Sequence, residues 1–453
     1  MAGEVVDLAA LPRAGRFKRH YAGILQATVA RFFGCTVVVS DRPLGALRRR
    51  HRLDLATDPR PQVYMLGGGA AAVVARVRGT EGPEGRCALV LSGREFGHLA
   101  PVLQALGAAL TRALSRGYAA RFDLSPDAFG DGLIRNTIAM HYARRRYDYR
   151  HVAHLLELFG KLAGATFEGH PFTTGLILTW AAQGYAGAAG LARQAEFFPL
   201  RQARRLGPDT ELDKRFWYLA DGQGAFFLCE RALRVAGLAV LAARQRGLHS
   251  FVDDYSLGRT LRAGDVAFRV TGPAEFAVTG ADGLDFTYKE SAWRLRDLPG
   301  FAAVVRARLP VADTALAPAL LSYALALARR RISALIWVPD DRHALRRFLL
   351  PGTRHRLLAR IAGNGRRLSL LEPDHAPAVL RLLTSDGVTV IAAGGQILSY
   401  GGIVDIGQVD PDGVTGTGEA VAELLGRHGL AVKVSQDGTV AVHHGGVAGP
   451  LLL

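Results

Sequence analysis

Cysteine is scarce in this chain: three residues in 453, Cys35, Cys87 and Cys229, far apart and odd in number. That excludes a disulfide framework and a clustered cysteine metal site. It points to a reducing, cytoplasmic setting. Long apolar runs are missing too. The nearest, 315–328, is shorter than the roughly 18 residues a membrane span needs and is broken by Pro318 and Ser322. Residues 1–10 carry Glu4 and Asp7 with no basic start before an apolar stretch, which argues against a secretory leader. Lysine is rare at five residues, so arginine carries almost all of the positive charge. Neither a Gly-x-Ser-x-Gly elbow nor a Gly-x-x-x-x-Gly-Lys-Ser/Thr loop occurs. The serine-hydrolase and P-loop routes to chemistry are therefore not signalled.

What is present is ample core material. Apolar residues make up 49% and charged residues 21%, which excludes wholesale disorder. At about 100–200 residues per domain the length implies two to four domains. Net charge is 56 − 40 = +16. Part of that excess follows from an arginine-, alanine- and glycine-rich composition. The rest favours anionic ligands, because guanidinium forks grip phosphate well. The basic clusters Arg48–Arg52, Arg144–Arg146, Arg329–Arg331 and Arg342–Arg367 contain few aromatics. Base stacking needs such platforms, so nucleic-acid binding is the weaker alternative and a solvated basic surface the simpler one.

The pattern of apolar residues predicts an α/β protein, with mixed sheet and flanking helices, in three segments. Residues 1–145 read as an N-terminal α/β domain, with helices over 17–33 and 102–114 and strands over 36–39, 63–66, 71–77 and 88–91. A polar linker is expected over 123–131. Residues 146–310 open with an amphipathic helix over 151–163 and continue as short strands and hairpins. Residues 311–453 open with an apolar helix over 316–327, followed by strands over 334–338, 388–392, 397–404 and 431–434 and a helix over 419–427. Both later segments run strand, long insert, Asp-Gly, strand, hairpin: Asp221-Gly222 in one, Asp386-Gly387 in the other. Asp-Gly is a common turn pair, so the echo admits either a degenerate repeat or coincidence. Gly67–Gly69 reads as a tight turn. His249, His443 and His444 have no carboxylate or cysteine at metal-ligand spacing.

The informative stretch is 380–442. Asp386-Gly387 leads straight into the strand Val388-Thr389-Val390-Ile391. A carboxylate at a strand edge can hold a divalent cation or activate a hydroxyl. Thirty residues on, Thr415-Gly416-Thr417-Gly418 precedes the helix that starts at Glu419. Glycines there admit a ligand close to the backbone, and free N–H groups at a helix start attract phosphate. Strand 431–434 and the turn Ser435-Gln436-Asp437-Gly438 follow.

This series resembles the diadenylate cyclase domain of DisA-type proteins, which condenses two ATP into cyclic di-AMP. Ala334–Val338 matches the family's Ala-Leu-Ile-Val strand, Asp386-Gly387-Val388 its Asp-Gly-Ala, and Ser435-Gln436-Asp437 its Ser-Glu-Glu. It is also similar to a bacterial branch in which a sensor domain of the DACNV type joins a cyclase-like domain, through Thr166–Gly169 and Leu219–Gly222. The resemblance covers the last third of the chain. It implies a nucleotide site at Asp386, Gly387, Gly416, Thr417, Gly418 and Glu419, with Mg²⁺ or Mn²⁺ at Asp386 alongside the nucleotide. Asp386 would be the catalytic carboxylate if the domain is active. Because the family pairs two domains face to face, it also implies a homo-oligomer.

One departure bears on activity. The family grips triphosphate with Gly-Thr-Arg-His-Arg at the helix start, where this chain has Gly416-Thr417-Gly418-Glu419-Ala420. Glu419 is expected to repel a triphosphate, so a nucleotide-sensing protein with an inactive cyclase-like domain is the leading expectation. An active divergent cyclase is the alternative. Gly352-Thr353-Arg354-His355-Arg356 spells the same grip but lies before Asp386, and is expected to sit away from it.

Overall fold

In the computed structural model the described residues are 6–7, 22–40, 62–77, 85–119, 126–143, 147–171, 173–185, 195–207, 213–241, 257–258, 261–308, 315–341, 343–353, 367–405, 407, 417–445 and 451–452. Helices and mixed sheets alternate along them, as an α/β chain requires. The first sheet holds β1 (Val6–Asp7), β2 (Thr36–Ser40), β3 (Gln62–Met65), β4 (Ala71–Val77) and β5 (Gly85–Ser92). Helix α1 (Gly23–Phe33) ends on Gly34 in the left-handed conformation, φ 60°. Helices α2 (Ala100–Ala119), α3 (Pro126–Ala143) and α4 (Tyr149–Ala163) follow. The linker expected at 123–131 is a correction: α3 begins at Pro126. Its Phe129, Leu133, Ile134 and Ile138 recur at helical spacing and are buried, a stripe that the polar flanks hid.

After the short hairpin β6 (Thr166–Phe167) and β7 (His170–Pro171) comes the eight-stranded second sheet. Its members are β8 (Thr174–Thr179), β9 (Ala195–Arg205), β10 (Ala225–Glu230), β11 (Arg234–Leu241), β12 (Val266–Gly272), β13 (Glu275–Gly280), β14 (Leu284–Lys289) and β15 (Ala292–Asp297), with α5 (Lys214–Tyr218) before β10. One apolar cluster runs through α1 to α4, one face of the first sheet and the near face of the second; it includes Phe32, Leu89, Leu106, Ile138, Phe159, Leu176, Phe268 and Phe286. The first two segments of the sequence thus share a core.

The third unit begins with α6 (Leu298–Arg308) and α7 (Leu316–Arg329). Leu298, Phe301 and Val305 of α6 already pack with the C-terminal strands. Every residue from Leu316 to Ala328 except Pro318 is buried, so α7 is apolar all round because it is enclosed. No helix among the described residues is long and apolar enough to cross a membrane. The third sheet comprises β16 (Ala334–Pro339), β17 (Val388–Ile391), β18 (Ile397–Gly402), β19 (Gly429–Val434), β20 (Val440–His444) and β21 (Leu451–Leu452), with α8 (Ala344–Phe348), α9 (Ala376–Leu383) and α10 (Thr417–Arg427). Side chains on one face (Ile336, Val338, Val432, Val442) pack on α6, α7 and α9. Those on the other (Trp337, Val388, Val390, Ala431) pack on α8 and α10.

The second and third sheets share a strand order. The path β14-β13-β12-β8-β10-β11 in one corresponds to β21-β20-β19-β16-β17-β18 in the other. In each, the first strand of the sheet and the strand that follows the Asp-Gly turn, β8 with β10 and β16 with β17, are parallel. The remaining corresponding pairs are antiparallel. The second sheet extends the plan with β9 and β15 at its edges.

A buried ion pair ties the units together. Arg94, after β5, donates through Nη1 to Phe33 O (2.7 Å) and pairs through Nη2 with Asp297 at the end of β15. Asp297 also lies 2.6 Å from His98 Nε2 and accepts from Gly300 N (2.9 Å), capping α6.

Candidate functional site

At one end of the third sheet, a cavity of about 740 Å³ opens where β16 and β17 begin and β18 and β19 end. Asp386, Gly387, Thr417 and Gly418 all line it, although 30 residues separate the two pairs. The structure therefore brings the two halves of the sequence signature together. Gly416 lies outside the described residues.

Local chemistry delivers Asp386 to the rim. Helix α9 is followed by Thr384 and Ser385, whose hydroxyls donate to the helix carbonyls of Arg381 (2.9 Å) and Leu382 (2.7 Å). These bonds satisfy the helix end and turn the chain. Gly387 then sits at φ +91°, and a Cβ there would stand 2.6 Å from Gly402 O. Glycine is needed both for the left-handed backbone and for the close approach of β18. Asp386 is exposed and has no hydrogen-bond or ion-pair partner among the described residues.

Across the cavity, α10 begins at Thr417, so its first N–H groups have no intrahelical partner. Glu419, in that first turn, does not face a ligand as expected. Its Oε2 accepts from Lys433 Nζ on β19 at 2.7 Å, and its Oε1 lies 2.9 Å from His443 Nε2 on β20. It is not part of the cavity wall. The His443 contact, opposed by partial burial and helped by Lys433, lowers its carboxyl to about 2. The charge expected to repel a triphosphate is paired in the fold with Lys433, and the contacts with Lys433 and His443 staple α10 to the sheet. A folded pKa below the ordinary 4.3 means that this contribution is complete above about pH 4.3 and fades as pH falls toward 2. Glu419→Gln is expected to lower the unfolding midpoint at pH 6 and to approach the wild type near pH 2, as read from denaturant unfolding across a pH series. A difference between Glu419→Gln and wild type that does not change with pH would contradict the pairing.

The cavity also carries residues that the sequence did not place at the site: Lys433, Arg331, Gln436 and Ile403. Arg331 belongs to a basic cluster and Gln436 to the Ser435-Gln436-Asp437 match, while Lys433 and Ile403 belong to no motif. The contact that makes Lys433 notable is with a residue 14 positions away on another element. Asp386 is not joined by a second free carboxylate in the wall, since Glu419 is engaged by Lys433 and His443. Among the described residues no group of three His, Cys, Asp or Glu side chains is placed to hold a metal ion. Asp386 would hold a cation there together with ligand phosphates.

The arginine motif at 352–356 is described only at its start. Gly352 turns at φ +93°, and Thr353 Oγ1 donates to Leu350 O (2.8 Å) and accepts from Ile403 N (3.2 Å). Ile403 lines the cavity, so the start of the motif touches a residue of the cavity wall. Arg354 and Arg356 lie outside the described residues.

In the second unit the Asp-Gly turn at 221–222 is packed tightly against β8. On the neighbouring strand β12, Arg269 is the register partner of Gly175. Arg269 is fully buried, with Thr279 Oγ1 at 3.1 Å and Asp285 Oδ1 at 3.6 Å. Asp221 Oδ1 accepts from the N–H groups of Gln223, Gly224 and Ala225 at 2.7–2.8 Å, so its carboxylate holds its own turn. Gly175 leaves no room there: a Cβ would meet Gly222 Cα at 2.5 Å and the Phe226 ring at 2.7 Å.

In comparisons with known proteins, no family model matches the chain and no curated protein matches it significantly.

Proposed function

We propose that the C-terminal unit is a diadenylate-cyclase-like domain that binds a phosphate-bearing nucleotide beside Asp386, and that the chain senses this ligand rather than turning it over. One observation carries the reading: Asp386-Gly387 and Thr417-Gly418 converge on a single cavity of about 740 Å³. That volume is within the usual range for small-molecule sites, about 300–1,000 Å³. The helix-start N–H groups suit a phosphate, and Asp386 suits a ribose hydroxyl or a phosphate-bound cation. The mixed six-stranded sheet with helices on both faces supports the resemblance. The arginine-histidine-arginine grip is absent from the start of α10, which favours binding without chemistry.

The test is ATP binding by calorimetry, in wild type and in Gly387→Ala. The wild type is expected to bind. The variant is expected to lose binding and about 2–4 kcal/mol of stability, from left-handed strain plus the clash with Gly402 O. No heat with ATP, or undiminished binding by a folded Gly387→Ala, would overturn the reading.

A second reading, an active divergent cyclase, is favoured by the docking of Thr353 on Ile403. That contact brings the segment leading into Arg354 and Arg356 to the rim. In this reading the grip comes from a different segment, and replacing both arginines by alanine abolishes turnover.

A further inference from the structure

The cavity wall includes an arginine whose backbone and partner both set it apart. Arg331 joins α7 to β16 at φ 55°, a left-handed conformation that side-chain-bearing residues adopt at a cost. Such a position is filled most easily by glycine, yet here it is an arginine, and the residue lines the cavity. That guanidinium is taken by the preceding unit: Arg331 Nη2 lies 3.2 Å from Glu290 Oε1.

Glu290 is held in place from both sides. It and Ser291 form the two-residue turn between β14 and β15, at φ 51° and 60°. Two consecutive residues at positive φ match the tight hairpin turn that the strand twist favours. The same hairpin is docked on the turn between β19 and β20, where Arg294 Nη1 donates to Thr439 Oγ1 at 3.1 Å. Gln436, in that turn, lines the cavity. The hairpin of the second unit thus touches one residue of the cavity wall, Arg331, and the turn that carries another, Gln436.

The Arg331–Glu290 pair is weak by construction. The two side chains are 60% and 55% exposed, and an exposed pair of this kind is easily exchanged for a better partner. A phosphate offers the guanidinium two parallel charge-assisted bonds and is such a partner. We propose that Arg331 is an anion-binding residue of the cavity and that Glu290 competes with the ligand's phosphate for it. Ligand binding then frees Glu290 from Arg331, and Glu290's hold on Arg331 sets ligand affinity, the two effects being reciprocal. This rests on the reading of the cavity as a phosphate-binding site.

The experiment measures the affinity of ATP and of inorganic pyrophosphate for wild type, Arg331→Gly, Glu290→Gln and the double variant. Glycine removes the guanidinium while suiting φ 55°, so the fold is kept; an unchanged thermal midpoint checks this. Arg331→Gly is expected to weaken binding about tenfold or more. Glu290→Gln is expected to tighten it about two- to fivefold, the scale of an exposed pair. In the Arg331→Gly background the Glu290→Gln gain should vanish, because the competitor acts only through Arg331. Wild-type binding that Arg331→Gly leaves unchanged overturns the inference while the nucleotide reading stands. So does a Glu290→Gln gain that survives in the double variant, or no gain at all. Absence of wild-type binding to both probes overturns the inference and the reading together.

Discussion

Incubated with ATP and Mg²⁺ or Mn²⁺, the protein is expected to release cyclic di-AMP about two to four decades more slowly than a site that keeps both arginine contacts. The chemistry needs a 3′-hydroxyl of one ATP to attack the α-phosphate of another. Negative charge builds on the phosphates as pyrophosphate leaves, and fixed cations must meet it. Each lost charge-assisted contact costs about 1.5–3 kcal/mol, so two lost contacts cost roughly 3–6 kcal/mol, or about two to four decades in rate. Gly418, Glu419 and Ala420 supply no cation at the start of α10. The cations in the cavity wall, Arg331 and Lys433, are each engaged by a carboxylate, Glu290 and Glu419. Chromatographic detection of cyclic di-AMP decides the matter. Rapid production that Asp386→Asn abolishes would establish the enzyme, and its further loss on replacing Arg354 and Arg356 would locate the grip.

The second large effect is structural. Asp297→Ala is expected to destabilise the protein by about 3–5 kcal/mol. Asp297 is fully buried and Arg94 is 7% exposed. Removing the carboxylate leaves Arg94 without its counter-ion and removes the cap from α6. Pairing Asp297→Ala with Arg94→Met should recover much of the loss, because no buried charge is then stranded. Burial works to raise the Asp297 carboxyl. The His98 contact and the Arg94 charge outweigh it, so the net shift is downward. The stabilisation is therefore present above the ordinary aspartate pKa, about 3.9, and is lost as pH falls below it. Denaturant unfolding of the three proteins is the measurement. An Asp297→Ala protein within about 1 kcal/mol of wild type, close to the size of an ordinary surface change, would refute the argument.

The signature around Asp386 was legible because its pieces are local. An Asp-Gly before an apolar strand and glycines before a helix are read within a few residues of each other, and strand and helix periods give their surroundings. The apolar helix over 316–327 was legible for the same reason. Helix α3 was missed because polar and glycine residues dilute its buried stripe, and tertiary packing against α2 and α4 decides it. Strand β9 was missed because Ala195–Arg205 lacks alternation; it is an edge strand recruited by pairing with β11.

Alone, the sequence determined the α/β class, the order of most elements, and the two segments, at Asp386-Gly387 and Thr417-Gly418, from which the proposed site is built. Those depend on side-chain period, turn chemistry and glycine, which act over a turn or two of chain. The tertiary structure alone decided that the segments meet in one cavity and that Glu419 faces Lys433 and His443 rather than a ligand. It also decided that Arg331 answers to Glu290, and Arg94 to Asp297 across 203 residues. Charges find partners through sheet register and unit docking, and those contacts have no fixed spacing along the chain. The shared strand order lies between the two: Asp221-Gly222 and Asp386-Gly387 hint at it, but only the pairing of the strands shows it.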